Sequence, residues 1–106
     1  MARTLIHMPA SAQRGEVIRI RTLIAHPMES GFRVDADGRV LPRDIIRRFS
    51  CHYNGVQVFG AELFAAIAAN PFIEFHTRAL DSGTLSFRWE GDNGFVHTET
   101  QSLRVT

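Results

Sequence analysis

Residues 45–59, IIRRFSCHYNGVQVF, constrain the fold more than any other part of this chain. Asn54 and Gly55 stand between two runs that alternate in polarity. Both residues tolerate positive φ, which a two-residue type I′ turn requires and which matches the twist of paired antiparallel strands. On the first run, Ile45, Phe49, Cys51 and Tyr53 share one face, with Arg48, Ser50 and His52 on the other; VQVF then runs back. A lone hairpin is marginal in water, so the remaining chain must add strands and a core.

It does. In GEVIRIRTLIAH (15–26), Ile18, Ile20, Thr22 and Ile24 fall on one side and Arg19 and Arg21 on the other, the period of a half-buried strand. Val17, Leu23 and Ala25 share the arginine side, so one end of that outer face is expected to be covered. FIEFHTRA sets Ile73, Phe75, Thr77 and Ala79 against Glu74, His76 and Arg78, and TLSFRWE points Leu85, Phe87 and Trp89 inward. DSG and GDNG supply turns. AELFAAIAAN reads as a connector with a short helical turn, ended by Asn70 before Pro71. The last strand starts at Phe95 and Val96; Val96, Thr98 and Thr100 share a parity that Leu103 and Val105 do not, so a β-bulge near Gln101 or Ser102 is expected. The pattern predicts an all-β fold over a single domain, residues 1–106: an immunoglobulin-like antiparallel two-sheet sandwich of about seven strands with a long loop insert, and Trp89 in its core.

Composition narrows the function. Twelve basic residues, every one arginine, oppose eleven acidic ones, a formal charge of +1. That balance argues against nucleic acid or an anionic membrane as partner. The densest basic spots, Arg19 with Arg21 and Arg47 with Arg48, read as solvated strand faces. One cysteine, Cys51, forbids an internal disulfide and allows the cytosol without requiring it. The N-terminal stretch has no apolar segment of the kind a secretory signal needs, and no run approaches the roughly 20 apolar residues of a membrane span.

The insert, HPMESGFRVDADGRVLPRD (26–44), is too long and polar for an ordinary turn. Its DADG resembles the middle of a calcium loop, but aligning Gly38 with the sixth loop position puts Arg33 first and Asp44 twelfth, where a bidentate Glu belongs. An Asp-capped turn is the better reading. His26, Met28 and Cys51 offer imidazole, thioether and thiol, the basis of a rival assignment as a metal-binding or electron-transfer sandwich; a blue-copper site, however, draws Cys, His and Met from one late loop, and no His or Met follows Cys51 at that spacing. Cys51 as a nucleophile, with His52 or His76, needs exposure, whereas its parity with Phe49 and Tyr53 points inward. The five histidines show no metal spacing, and no catalytic motif or phosphate loop stands out. The expectation is a non-enzyme without cofactor or metal. What remains is surface: in VFGAELFAAIAANPF, Phe59, Leu63, Phe64, Ile67 and Phe72 are either a partner-binding patch or ordinary core.

At this point the chain resembles a family, the Z subunit of the SoxYZ sulfur carrier complex of bacterial thiosulfate oxidation. The matching pieces are GEV (15–17); His26, Pro27, Met28, Ser30, Gly31 and Arg33; Asp35, Gly38 and Pro42; Ile45 and Ile46; Phe49, Cys51, Tyr53, Asn54 and Gly55; Val58 and Phe59; Ile67, Ala69, Asn70 and Pro71; and SG (82–83) with Trp89. They run in order over nearly the whole chain. The resemblance implies an immunoglobulin-like, non-catalytic subunit that pairs with a Y-type carrier in the periplasm, is exported with it, and touches other sulfur-oxidation enzymes transiently. It implies that the sulfur-bearing cysteine sits on the Y chain's Gly-rich arm, so that Cys51 is not that residue; this sequence ends QSLRVT, without such an arm. Where the family usually has LHPAISANP this chain has LFAAIAANP (63–71), replacing His-Pro with Phe64 and Ala65. Within the insert, Met28, an adaptable thioether, and Arg33, a fork for carboxylates or sulfur oxyanions, are the expected docking groups.

Overall fold

The computed structural model describes residues 2–106. Its strands are β1 (Thr4–His7), β2 (Ser11–Ala12), β3 (Val17–Ile24), β4 (Ile46–Tyr53), β5 (Val56–Glu62), β6 (Phe72–Arg78), β7 (Gly83–Gly91) and β8 (Val96–Val105). They form a three-stranded sheet, β1-β3-β6, facing a five-stranded one, β2-β8-β7-β4-β5, the immunoglobulin-like sandwich that the alternation predicts. Every neighbouring pair is antiparallel except β2 with β8. The two short N-terminal strands carry no strong pattern in sequence, so eight strands stand where about seven were expected.

The predicted inward faces close on one core. Ile18, Ile20 and Ile24 of β3 meet Phe49 and Cys51 of β4, Phe75 of β6, and Leu85, Phe87 and Trp89 of β7 in a continuous buried cluster. Asn54 and Gly55 adopt φ of 48° and 84°, the left-handed pair that makes the β4–β5 turn. Tyr53 ties the crossover between the sheets: its hydroxyl donates to the Asp81 carbonyl and accepts the Leu80 and Asp81 N–H groups, each at 3.2 Å.

Four local expectations are corrected. Val17, Leu23 and Ala25 are exposed, so nothing among the described residues of this chain covers the outer face of β3. The expected connector at 61–70 is shorter than its sequence suggests, because Ala61 and Glu62 extend β5; its one turn is closed by Ile67 N–H on the Phe64 carbonyl. The β7–β8 register is unbroken from Glu90↔Val96 to Gly83↔Leu103, so β8 has no bulge. Its inward parity is carried upstream by His97 and Glu99, bonded to each other at 3.0 Å and partly buried; an inward polar pair mimics a change of face in the sequence. Ser50, assigned to the polar face, is buried because both neighbours, β5 and β7, flank it, opposite Gly60 and Arg88. The chain is 59 Å long and 20 Å across; its longest strand reaches only about 34 Å, so insert and turns extend the sandwich at its ends.

Candidate functional site

The insert is anchored at both ends rather than draped. The His26 N–H donates to the Asn70 side-chain oxygen at 3.0 Å, and the Asn70 N–H returns to the His26 carbonyl at 2.8 Å. His26 Nδ1 accepts the Met28 N–H at 3.0 Å, which leaves the ring proton on Nε2, 3.9 Å from Asp44 Oδ1. Burial lowers the His26 pKa below its ordinary 6.5, opposed by the charges of Asp44 and Asp92. Met28 takes a positive φ of 50°, and its Sδ accepts the Ile46 N–H at 3.2 Å. Met28 is 5% exposed, so it belongs to the core and is withdrawn from the docking surface.

Further along, Asp35 Oδ1 accepts the N–H groups of Asp37 and Arg39, at 2.8 and 3.0 Å, with Gly38 at φ 79°. The carboxylate caps its own turn, the non-metal reading of DADG. Among the described residues no group of three or more His, Cys, Asp or Glu is placed to hold a metal ion. The far end of the insert is clamped by Asp92 in the turn before β8. Its carboxylate takes a two-pronged contact from Arg43 at 2.8 and 2.9 Å, a third from Arg47 at 3.2 Å, and the Ile45 N–H at 3.2 Å. Desolvation acts to raise the Asp92 pKa, but these donors and the two guanidinium charges together outweigh it and lower it.

Cys51 is fully buried, between Phe59 and Phe87 in the sheet register. Burial pushes its thiol up to about 12, the opposite of what a nucleophile or metal ligand needs. Met28 is bonded at Ile46, five residues along β4 from Cys51, or about 17 Å at strand rise. The rival set of His26, Met28 and Cys51 is therefore not brought together.

The other expected contact residues divide. Leu63 is buried, and Phe59 stacks on Phe75 with centroids 4.4 Å apart, so both serve the core. Arg33 is exposed, but its fork already holds Glu29, at 2.6 and 3.1 Å. Phe64 and Ile67 stand exposed on the 63–70 corner, Phe64 beside a cleft of about 520 Å³ with Arg43, Arg47, Arg48 and Glu62. Phe72 lies elsewhere, on the outer face of the small sheet in a groove with Leu5, Arg21 and Leu23. The supposed single patch is thus two surfaces, because strand alternation sends Phe59 inward and Phe72 outward. Leu5 was missed; the available signal was Leu23, an apolar residue on the arginine side of β3.

The family model described as "Sulphur oxidation protein SoxZ" matches residues 6–102. No curated protein matches the chain. Among solved structures, the sulfur carrier protein SoxY from Chlorobium limicola f thiosulfatophilum superposes with a TM-score of 0.67 at 13% identity, over 97% of this chain and 78% of that one. Superoxide reductase (neelaredoxin) from Ignicoccus hospitalis gives 0.71 at 14% identity, over 97% of this chain and 80% of that one. At such identities both likenesses are of fold alone.

Proposed function

This chain belongs to the SoxZ family of sulphur oxidation proteins, and from that premise we propose that it is the non-catalytic subunit of a heterodimeric SoxYZ-type sulfur carrier. In this reading it binds a SoxY-type chain in the periplasm, which it reaches together with that partner. It helps present the partner's cysteine-bound sulfur intermediates to other sulfur-oxidation enzymes. The observation that carries the reading is the family match over residues 6–102. The fold shared with the sulfur carrier SoxY fits a pair of related sandwiches.

The chemistry of the chain supports a role by contact. Its one thiol is sealed in the core with its pKa raised to about 12, so at neutral pH almost none of it is the thiolate that would attack or carry sulfur. The insert's polar groups are spent on its own backbone and on Asp92, which suits a preshaped loop on a rigid sandwich. Of the expected contact residues, Arg33, Phe64, Ile67 and Phe72 stand at the surface, on separate parts of the molecule.

The test is size-exclusion chromatography with light scattering on the chain, a SoxY-type partner, and their mixture. The expected result is a 1:1 complex at micromolar concentrations, burying at least about 1,000 Å². Two chains that elute at their separate masses over that range refute the proposal.

A further inference from the structure

The outer face of the small sheet carries the densest organised feature that the insert and core leave unexplained. Sheet register aligns Leu5 of β1, Leu23 of β3 and Phe72 of β6 in one transverse row. Their exposures are 61%, 37% and 59%, so the row runs across the full width of the sheet in solvent. It walls two adjoining grooves of about 260 and 340 Å³. The next row is polar, His7, Arg21 and Glu74, with Arg21 bonded to His7 Nδ1 at 3.0 Å.

Around this row the charge is one-sided. Arg3, Arg19, Arg21 and Arg78 share the outward parity with one acidic residue, Glu74, while Glu16 stands at the edge, in the groove lined by His7, Arg19 and Arg21. None of the four arginines has a carboxylate within ion-pair distance among the described residues, unlike Arg14, Arg33, Arg43, Arg47 and Arg88. By parity four arginines against one glutamate give the face a formal +3, or +2 with Glu16 at its edge, while the whole chain carries +1. The neutral total hides the asymmetry.

We infer that this face, the Leu5–Leu23–Phe72 row inside its arginine frame, is where the SoxY-type carrier chain docks, through a surface with an apolar centre and a rim of carboxylates. The inference rests on the carrier-subunit reading and adds to it the face and the partner's chemistry. An apolar centre within a charged rim is the anatomy of a specific protein interface, and complementary rim charge sets encounter rate and orientation. A second copy fits badly: a two-fold pairing lays the same patch on itself, so eight guanidiniums would meet with two carboxylates between them. Nucleic acid fits badly too, because the middle of the face is aliphatic where a backbone-tracking groove needs cations.

The experiment is isothermal titration of the SoxY-type partner into the wild-type chain and into Phe72→Asp, Leu5→Asp, Arg21→Glu, Phe32→Asp and Phe64→Asp, each checked for its fold by circular dichroism. Wild type binds, and more weakly as salt rises. Phe72→Asp and Leu5→Asp weaken binding by at least about 30-fold, and Arg21→Glu by about tenfold with a flatter salt dependence. Phe32→Asp on the insert and Phe64→Asp on the corner stay within about twofold of wild type, on the additivity expected of remote sites. Should an apolar-to-Asp variant fail to fold, Arg21→Glu alone still decides. If wild type binds and the three face variants bind equally well, or if Phe32→Asp or Phe64→Asp abolishes binding instead, the docking face is wrong while the carrier-subunit reading stands. If wild type does not bind the partner, that reading fails and takes this one with it. A homodimer broken by Phe72→Asp, or tight binding of DNA by wild type, also overturns the assignment.

Discussion

Asp92→Ala should unfasten the insert from the sandwich. The carboxylate joins Arg43, Arg47 and the Ile45 N–H, and so ties residues 43–47 to the turn before β8. The guanidinium contacts involve side chains 52% and 58% exposed, so solvent screening limits each to about 0.5 kcal/mol. The Ile45 N–H differs: Ile45 is 2% exposed, and an N–H stripped of its acceptor there costs about 1.5 kcal/mol. The total is about 2.5 kcal/mol, or a melting temperature lower by roughly 10 °C for a domain of this size. Asp92→Asn keeps an oxygen for the N–H and loses only the charge, so it should cost about 1 kcal/mol. Urea titrations of the three proteins give the free energies, and amide hydrogen exchange shows whether the added opening is confined to residues 26–46. A loss below about 0.5 kcal/mol for Asp92→Ala, or equal losses for Ala and Asn, would refute the idea that one acceptor holds the insert in place.

Other expectations follow from single groups. Tyr53→Phe removes one donated and two accepted hydrogen bonds at the sheet crossover and should cost about 2 kcal/mol by urea denaturation; a loss under about 0.5 kcal/mol would mean that the hydroxyl is idle. His26, whose pKa burial lowers, is neutral when folded, so its contribution is complete above pH 6.5 and declines as the unfolded chain takes up a proton below that. The melting temperature should therefore fall from pH 7.5 to 5 more steeply in wild type than in His26→Asn; parallel slopes would contradict the assigned ring state. Cys51, raised to about 12, should resist a thiol reagent at pH 8 until the protein unfolds, and stability should decline as pH climbs from 9 toward 12. Stoichiometric labelling of the native chain within minutes would be inconsistent with a sealed thiol.

The sandwich was legible because its central strands obey one rule. β3, β6 and β7 alternate, β4 does so in sequence from Phe49 to Tyr53, and Asn54-Gly55 sets the β4–β5 register as far as His52, beyond which it shifts by one residue. The N-terminal strands were not: β1 is four residues and β2 two, too short for a period to emerge. The end of β8 misled because His97 and Glu99 satisfy each other inside, and an inward polar pair breaks the alternation without bending the chain. At the candidate site, composition suggested that Met28 was an adaptable surface group, whereas the left-handed backbone at that residue and the Ile46 N–H draw its sulfur into the core. Neither is written in residue type. The apolar row became visible only once cross-strand register placed Leu5 beside Leu23 and Phe72, residues 5, 23 and 72 in a sequence that gives no hint of their adjacency.

The central claim, that this chain works by holding a carrier and performs no sulfur chemistry itself, is tested most directly by intact-mass measurement of both chains after the reconstituted pair has turned over thiosulfate. The account predicts sulfur adducts on the SoxY-type partner, an unchanged mass for this chain, and the same loading with Cys51→Ser in place of wild type. A stoichiometric sulfur adduct on this chain, lost in Cys51→Ser, would contradict it.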